Sequence, residues 1–159
     1  MNKEQLIVKM ALSAWDTHIG RTSEFLQTLS DEQLLNQIAP NKNTGIYLVG
    51  HLVAIHDAMN EILGLGKRSF VELDEAFVNN PDNSGFDMPS VSVLKKFWDE
   101  VHQNLRRSLS QLATDDWFKR HNHMTDEDFA KEPHRNKLNV LINRTNHLAY
   151  HLGQLRLLK

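Results

Sequence analysis

Apolar positions recur along most of this chain at steps of three and four, the period of helices that bury one face. Near the start, Ile7, Met10, Ala11, Ala14, Trp15, His18, Thr22, Phe25 and Leu29 predict a first long helix, with Asn2 and Gln5 spaced as an N-terminal cap. Ser30 followed by Gln33 reads as a capping box for a short second piece that Pro40 stops. A second long helix is predicted from about Thr44 to Leu63, with Gly64 and Gly66 available to end it. Between Lys67 and Pro89 the period weakens and turn formers cluster at 79–85, so a crossover is expected, with a helical turn near Phe70 to Phe77. After Ser90 the residues Val91, Leu94, Phe97, Trp98, Val101, Leu105, Leu109 and Leu112 predict a third long helix. A polar connection spans 114–136. The last helix, Leu138 to Leu158, carries a seam of Leu138, Leu141, Thr145, Leu148, Leu152 and Leu155.

Four long helices without a strand pattern predict an all-α fold, a four-helix bundle with long crossover connections, in one domain over residues 1–159. No apolar run approaches the ~20 residues of a membrane span, and acidic and polar residues interrupt the apolar pattern at the N-terminus, unlike a secretory signal. A cytoplasmic protein is expected. There is no cysteine, which removes disulfides, thiolate ligands and a cysteine nucleophile. The net charge of −2 and the lack of a dense basic patch argue against nucleic acid as a partner.

Histidine changes the picture. His147 and His151 are four residues apart, which places both on one helical face with Cβ atoms roughly 6 Å apart. With Arg144, Gln154 and Leu158 they form a stripe beside the apolar seam, suited to lining a cleft between helices. His51 occupies the corresponding flank of the second long helix, sharing a face with Leu48, Ile55, Ala58 and Ile62. Two histidines from one helix and one from another make a three-nitrogen set. Such a set leaves a position open, as catalytic zinc sites do, whereas structural zinc normally takes a fourth protein ligand. The competing reading is three half-buried histidines bonded to backbone or water. Imidazole suits zinc, nickel, copper and iron alike, so the metal is left open.

His51 after Gly50, the Pro40 to Asn43 approach to that helix, and His147-x-x-x-His151-x-Gly153-Gln154 in the last helix together resemble the DinB-like (YfiT-like) family of metal-dependent four-helix proteins. The resemblance implies a metal triad of His51, His147 and His151, a divalent ion such as zinc, nickel or iron, and a homodimer. It also implies a thiol-dependent transferase activity of the kind some members have, in which a low-molecular-weight thiol is joined to an electrophile. Metal-dependent hydrolysis and a non-catalytic metal-binding or dimerisation module are the alternatives; no carboxylate stands out as a general base for hydrolysis.

Arg144, one turn before His147, is a candidate to hold a carboxylate of a small-molecule substrate. It lies in a region free of acidic residues after Glu132, while the crossover carries Glu72, Asp74, Glu75, Asp82 and Asp87 without a basic residue between 69 and 94. The bland alternative pairs Arg144 with that acidic crossover. Of the other histidines, His18 is expected in the core of the first helix and His56, rotated about 140° from His51, in packing. His121 and His123 are expected in a loop, and His102 and His134 show no pattern.

Overall fold

Each long helix begins where a polar side chain can take over an amide that the helix leaves unbonded. In the computed structural model, which describes residues 1–159, Asn2, Thr44, Ser90 and Asn136 cap α1 (Lys3–Gln27), α3 (Gly45–Asp57), α5 (Val91–Leu109) and α7 (Lys137–Leu155) in this way. Asn2 with Gln5 and Ser30 with Gln33 form complete capping boxes, the second opening the short α2 (Asp31–Leu35). The chain is all-α, with α4 (Met59–Ile62) continuing α3 after a pause at Ala58, and α6 (Asp126–Lys131) in the last connection.

α3 is the innermost element: eleven of its thirteen residues are buried, which its nearly unbroken apolar sequence requires. It packs on α5 and α7, and α1 packs on α7. Trp98 Nε1 donates to Ser23 Oγ at 2.9 Å, and Arg106 pairs with Asp16 at 3.2 Å, both between α5 and α1. Every residue of the predicted α7 seam is buried, and every member of its neighbouring stripe, Arg144, His147, His151, Gln154 and Leu158, is half-buried.

The face of α1 differs from expectation. Ile7 and Met10 are 48% and 64% exposed, while Val8 and Ile19 are buried with Trp15, Thr22, Phe25 and Leu26. This helix has two overlapping apolar stripes, and only the one that meets α7 is covered. His18 is consequently half-buried, bonded only to the Ala14 carbonyl of its own helix at 2.9 Å.

The crossover is pinned to α3 from below and above. The buried Asp57 carboxylate accepts from the amides of Ser69 and Phe70, each at 2.9 Å, and from Arg68, whose guanidinium also grips Asp74. At the other end Asp82 accepts from the Thr44 amide at 2.6 Å and hydroxyl at 2.8 Å, and Tyr47 donates to the Asn80 carbonyl at 2.7 Å. Between these anchors, Glu75–Asn79 forms a single π-helical turn lying on α3. Such turns interrupt regular hydrogen bonding and free carbonyls for other donors. Two of the crossover's acidic residues, Asp74 and Asp82, are engaged in holding the fold.

Candidate metal centre

Gly50 is what lets the π turn reach the site. A Cβ at this position would lie 2.3 to 2.5 Å from three carbons of the Phe77 ring, far inside van der Waals contact. Because the ring sits directly on the helix backbone, the Phe77 carbonyl comes to 2.8 Å from His51 Nδ1. A carbonyl only accepts, so His51 carries its proton on Nδ1 and presents the lone pair of Nε2. His151 is set the same way: its Nδ1 donates to Gln154 Oε1 at 2.7 Å, and Gln154 Nε2 donates to the Tyr150 hydroxyl at 3.2 Å.

The freed nitrogens converge. His147 Nε2 lies 3.3 Å from His51 Nε2 and 3.0 Å from His151 Nε2, and the three ligand nitrogens all fall within 4.8 Å of one another. Tetrahedral zinc with bonds of about 2.0–2.1 Å separates its nitrogen ligands by about 3.3 Å. The spacing therefore fits one ion, and two of the three imidazoles already have the outer partner that fixes a ligand's tautomer and orientation. Burial lowers the pKa of each: His51 and His151 fall below the usual histidine value, and His147, further depressed by its histidine neighbours and Arg144, reaches about 4. All three are neutral at pH 7, the form that ligates. No fourth His, Asp or Glu joins the cluster.

Arg144 lies one turn before His147 on the same stripe of α7, and its positive charge is the smallest of the causes that lower His51 and His147. Its Nε is buried and has no protein partner, and burial lowers its own pKa with no carboxylate opposing the shift. The pairing with the acidic crossover is not made. His121 and His123 lie in a turn where the His123 amide donates to His121 Nδ1 at 3.2 Å, and neither these nor His18 and His134 approach the triad.

A second histidine pair lies in the core. His56 is fully buried and His102 is 6% exposed; His56 Nδ1 is 2.8 Å from His102 Nε2, and His102 Nδ1 is 2.7 Å from the Trp98 carbonyl. Trp15 packs edge-on against His56 with ring centroids 4.9 Å apart. His56 is interior, as its place on the wheel implies, but its partner was not foreseen. The available signal was Trp98 and His102 four residues apart, which puts His102 on the same buried face as a tryptophan.

These features define a helical protein with a three-histidine cluster between two packed helices, competent to hold a metal ion. The model of the DinB superfamily matches residues 14–155, and the chain belongs to that superfamily. No curated protein matches it. No helix is long and apolar enough to cross a membrane.

Proposed function

We propose that the chain is a divalent-metal-dependent enzyme in which His51, His147 and His151 hold one zinc, nickel or iron ion and Arg144 binds an anionic group of a small-molecule substrate. The observation that carries this reading is the convergence of three neutral, partly buried imidazoles whose nitrogens have the spacing of one coordination shell. With three protein donors the shell keeps a position for a substrate or water, which favours a catalytic over a structural role. When bound, such an ion supplies Lewis acidity that favours the anionic form of a thiol or water at neutral pH.

The protein's own groups divide the remaining work. The Phe77 carbonyl and Gln154 hold His51 and His151 in the ligating tautomer. Arg144 provides an uncompensated positive charge at the site, and a half-buried guanidinium without a carboxylate partner favours an anionic ligand. We read the reaction, from the family resemblance, as transfer of a carboxylate-bearing low-molecular-weight thiol: a carbon–sulfur bond forms at the electrophile, its leaving group departs with the bonding pair, and the thiol proton passes to solvent. Hydrolysis is less favoured because no carboxylate joins the cluster to act on a water. We further read α1, α3 with α4, α5 and α7 as the four helices of a bundle in one cytoplasmic domain that pairs as a homodimer; light scattering tests the pairing.

The test is metal analysis of untagged protein and of His51→Ala and His147→Ala, followed by titration with carboxylate-bearing thiols. One ion per chain in the wild type and its loss in both variants is expected. Arg144→Ala should keep the ion and lose about 1.5–3 kcal/mol of thiol binding, the scale of a hydrogen bond to a charged group. Wild-type metal content in both histidine variants removes the triad; equal thiol affinity removes Arg144.

A further inference from the structure

Two of the three candidate ligands have an outer partner within the protein, and His147 does not. Its Nδ1 is buried with no protein group to bond. When Nε2 ligates, Nδ1 must carry the ring proton, so a buried N–H faces no acceptor, a cost of about 1–3 kcal/mol if nothing meets it.

The histidine pair in the core supplies the missing acceptor. His102 Nδ1 must donate to the Trp98 carbonyl, and since His102 is neutral its Nε2 is a lone pair. His56 Nδ1 must then be the donor in the bond to His102 Nε2. His56, also held neutral by burial, is left with a lone pair on Nε2, and that atom too is buried without a protein partner. A third such atom is Arg144 Nε, a donor. These three are all the buried side-chain polar atoms in the protein that lack a partner.

All three lie on α3 and α7, which pack together. The start of α3 touches the end of the chain, where a Cβ on Gly45 would meet Leu158, and Gly64 beyond α4 comes near Lys137 at the start of α7, so the two helices run antiparallel. From His51, which faces His147, five residues along α3 to His56 advance about 7.5 Å in the direction that leads from His147 back to Arg144. Burial first, and then the neighbouring His102, His147 and Arg144, disfavour the protonated form of His56.

We propose that His147 Nδ1, Arg144 Nε and His56 Nε2 share one internal water, through which the His56–His102 pair positions His147 as a metal ligand. Two donors and one acceptor match a water, which accepts from both N–H groups and donates to the imidazole lone pair, within the two to four bonds that buried waters make. A halide would satisfy the donors but set a negative charge against the His56 lone pair. The chain of bonds then runs from the Trp98 carbonyl on α5 through His102, His56 and the water to His147 on α7. The orienting role and the donor assignment of His147 Nδ1 rest on the metal reading above. In the metal-free protein His147 Nε2 faces two lone pairs and carries the proton, so Nδ1 is an acceptor that the same water meets by donating, with Arg144 Nε still donating to the water.

The test combines one spectroscopic and one binding measurement. In metal-free wild type, water–protein cross-relaxation NMR should show a long-lived water at the His56 ring, with His56 protonated on Nδ1. Zinc affinity, read by competition with a chromophoric chelator, should fall about 10- to 100-fold in His56→Phe, the range for loss of a ligand's outer partner, with stoichiometry kept. His56→Gln should bind more tightly than His56→Phe, because its amide can donate to His102 Nε2 while its carbonyl accepts from the water. Absence of a long-lived water in the wild type overturns the site. Wild-type affinity in His56→Phe, or equal affinities in the Phe and Gln variants, overturns the positioning role. Failure of the wild type to bind zinc at all removes that role together with the metal reading, and the water signal then reports on the site alone.

Discussion

Replacing Gly50 with Ala should disturb the candidate site through the packing of a single ring. The new Cβ would stand 2.3 Å from Phe77 Cε1 and 2.5 Å from Cδ1 and Cζ, where carbon atoms normally rest about 3.5–4.0 Å apart. Phe77 must therefore retreat by more than about 1 Å, yet its side chain is completely buried and leans on Tyr47 with ring centroids 5.9 Å apart. Overpacking of this kind costs about 1–3 kcal/mol, and the better helix propensity of alanine returns about 1 kcal/mol, so a net loss of up to about 2 kcal/mol is expected. The more telling effect is on the Phe77 carbonyl, which retreats with its ring and loosens its 2.8 Å bond to His51. Zinc affinity should then drop by about 10- to 100-fold with the fold intact. Urea unfolding followed by circular dichroism and a chelator competition measure the two effects. Adding Phe77→Leu, which shortens the ring's reach, should make the double variant less unstable than the sum of the singles. A Gly50→Ala protein that gains the full helical increment and binds zinc as the wild type does would refute the account of why glycine precedes this histidine.

Acid should weaken the fold from the core pair outward: His102 is held neutral by burial with its pKa pushed down to about 3, and His56 is shifted the same way. Unfolded histidine titrates near 6.5, so the unfolded chain takes up more protons below that pH; the stability is fully present above about 6.5 and declines as pH falls towards about 3. At pH 5 the loss from His102 alone is about 2 kcal/mol, and urea midpoints at pH 7 and pH 5 should show it, with a shallower pH dependence in His102→Phe. Chelator should leave the helical circular dichroism largely intact at 25 °C, because a connected core of 33 buried apolar residues packs the long helices together, unlike a small metal-dependent fold. Cooperative unfolding on chelation would place the metal in a structural role instead.

The helices and the face of α7 were readable along the chain because they follow from local rules. Capping residues, the three-and-four period and the glycines at positive φ act within one turn, so Asn2, Ser30, Ser90, Gly64 and the Leu138–Leu155 seam carry the same meaning before and after folding. The histidine set was readable for the same reason, since helix periodicity places His147 and His151 together and the flank of a seam is where a neighbour's His51 can reach. Which of two apolar stripes α1 buries depended on where α7 lies, so Val8 went in and Met10 stayed out. A helical turn near Phe77 was expected from the sequence, but its π form, the pairing of His56 with His102, and the freedom of Arg144 from the acidic crossover came only with tertiary structure. Each depends on how separate elements pack, across 46 positions for the histidine pair, and no spacing along the chain encodes a contact whose partner is chosen by how helices cross. The chain pattern thus specified the donors of the candidate centre, and packing supplied what orients them.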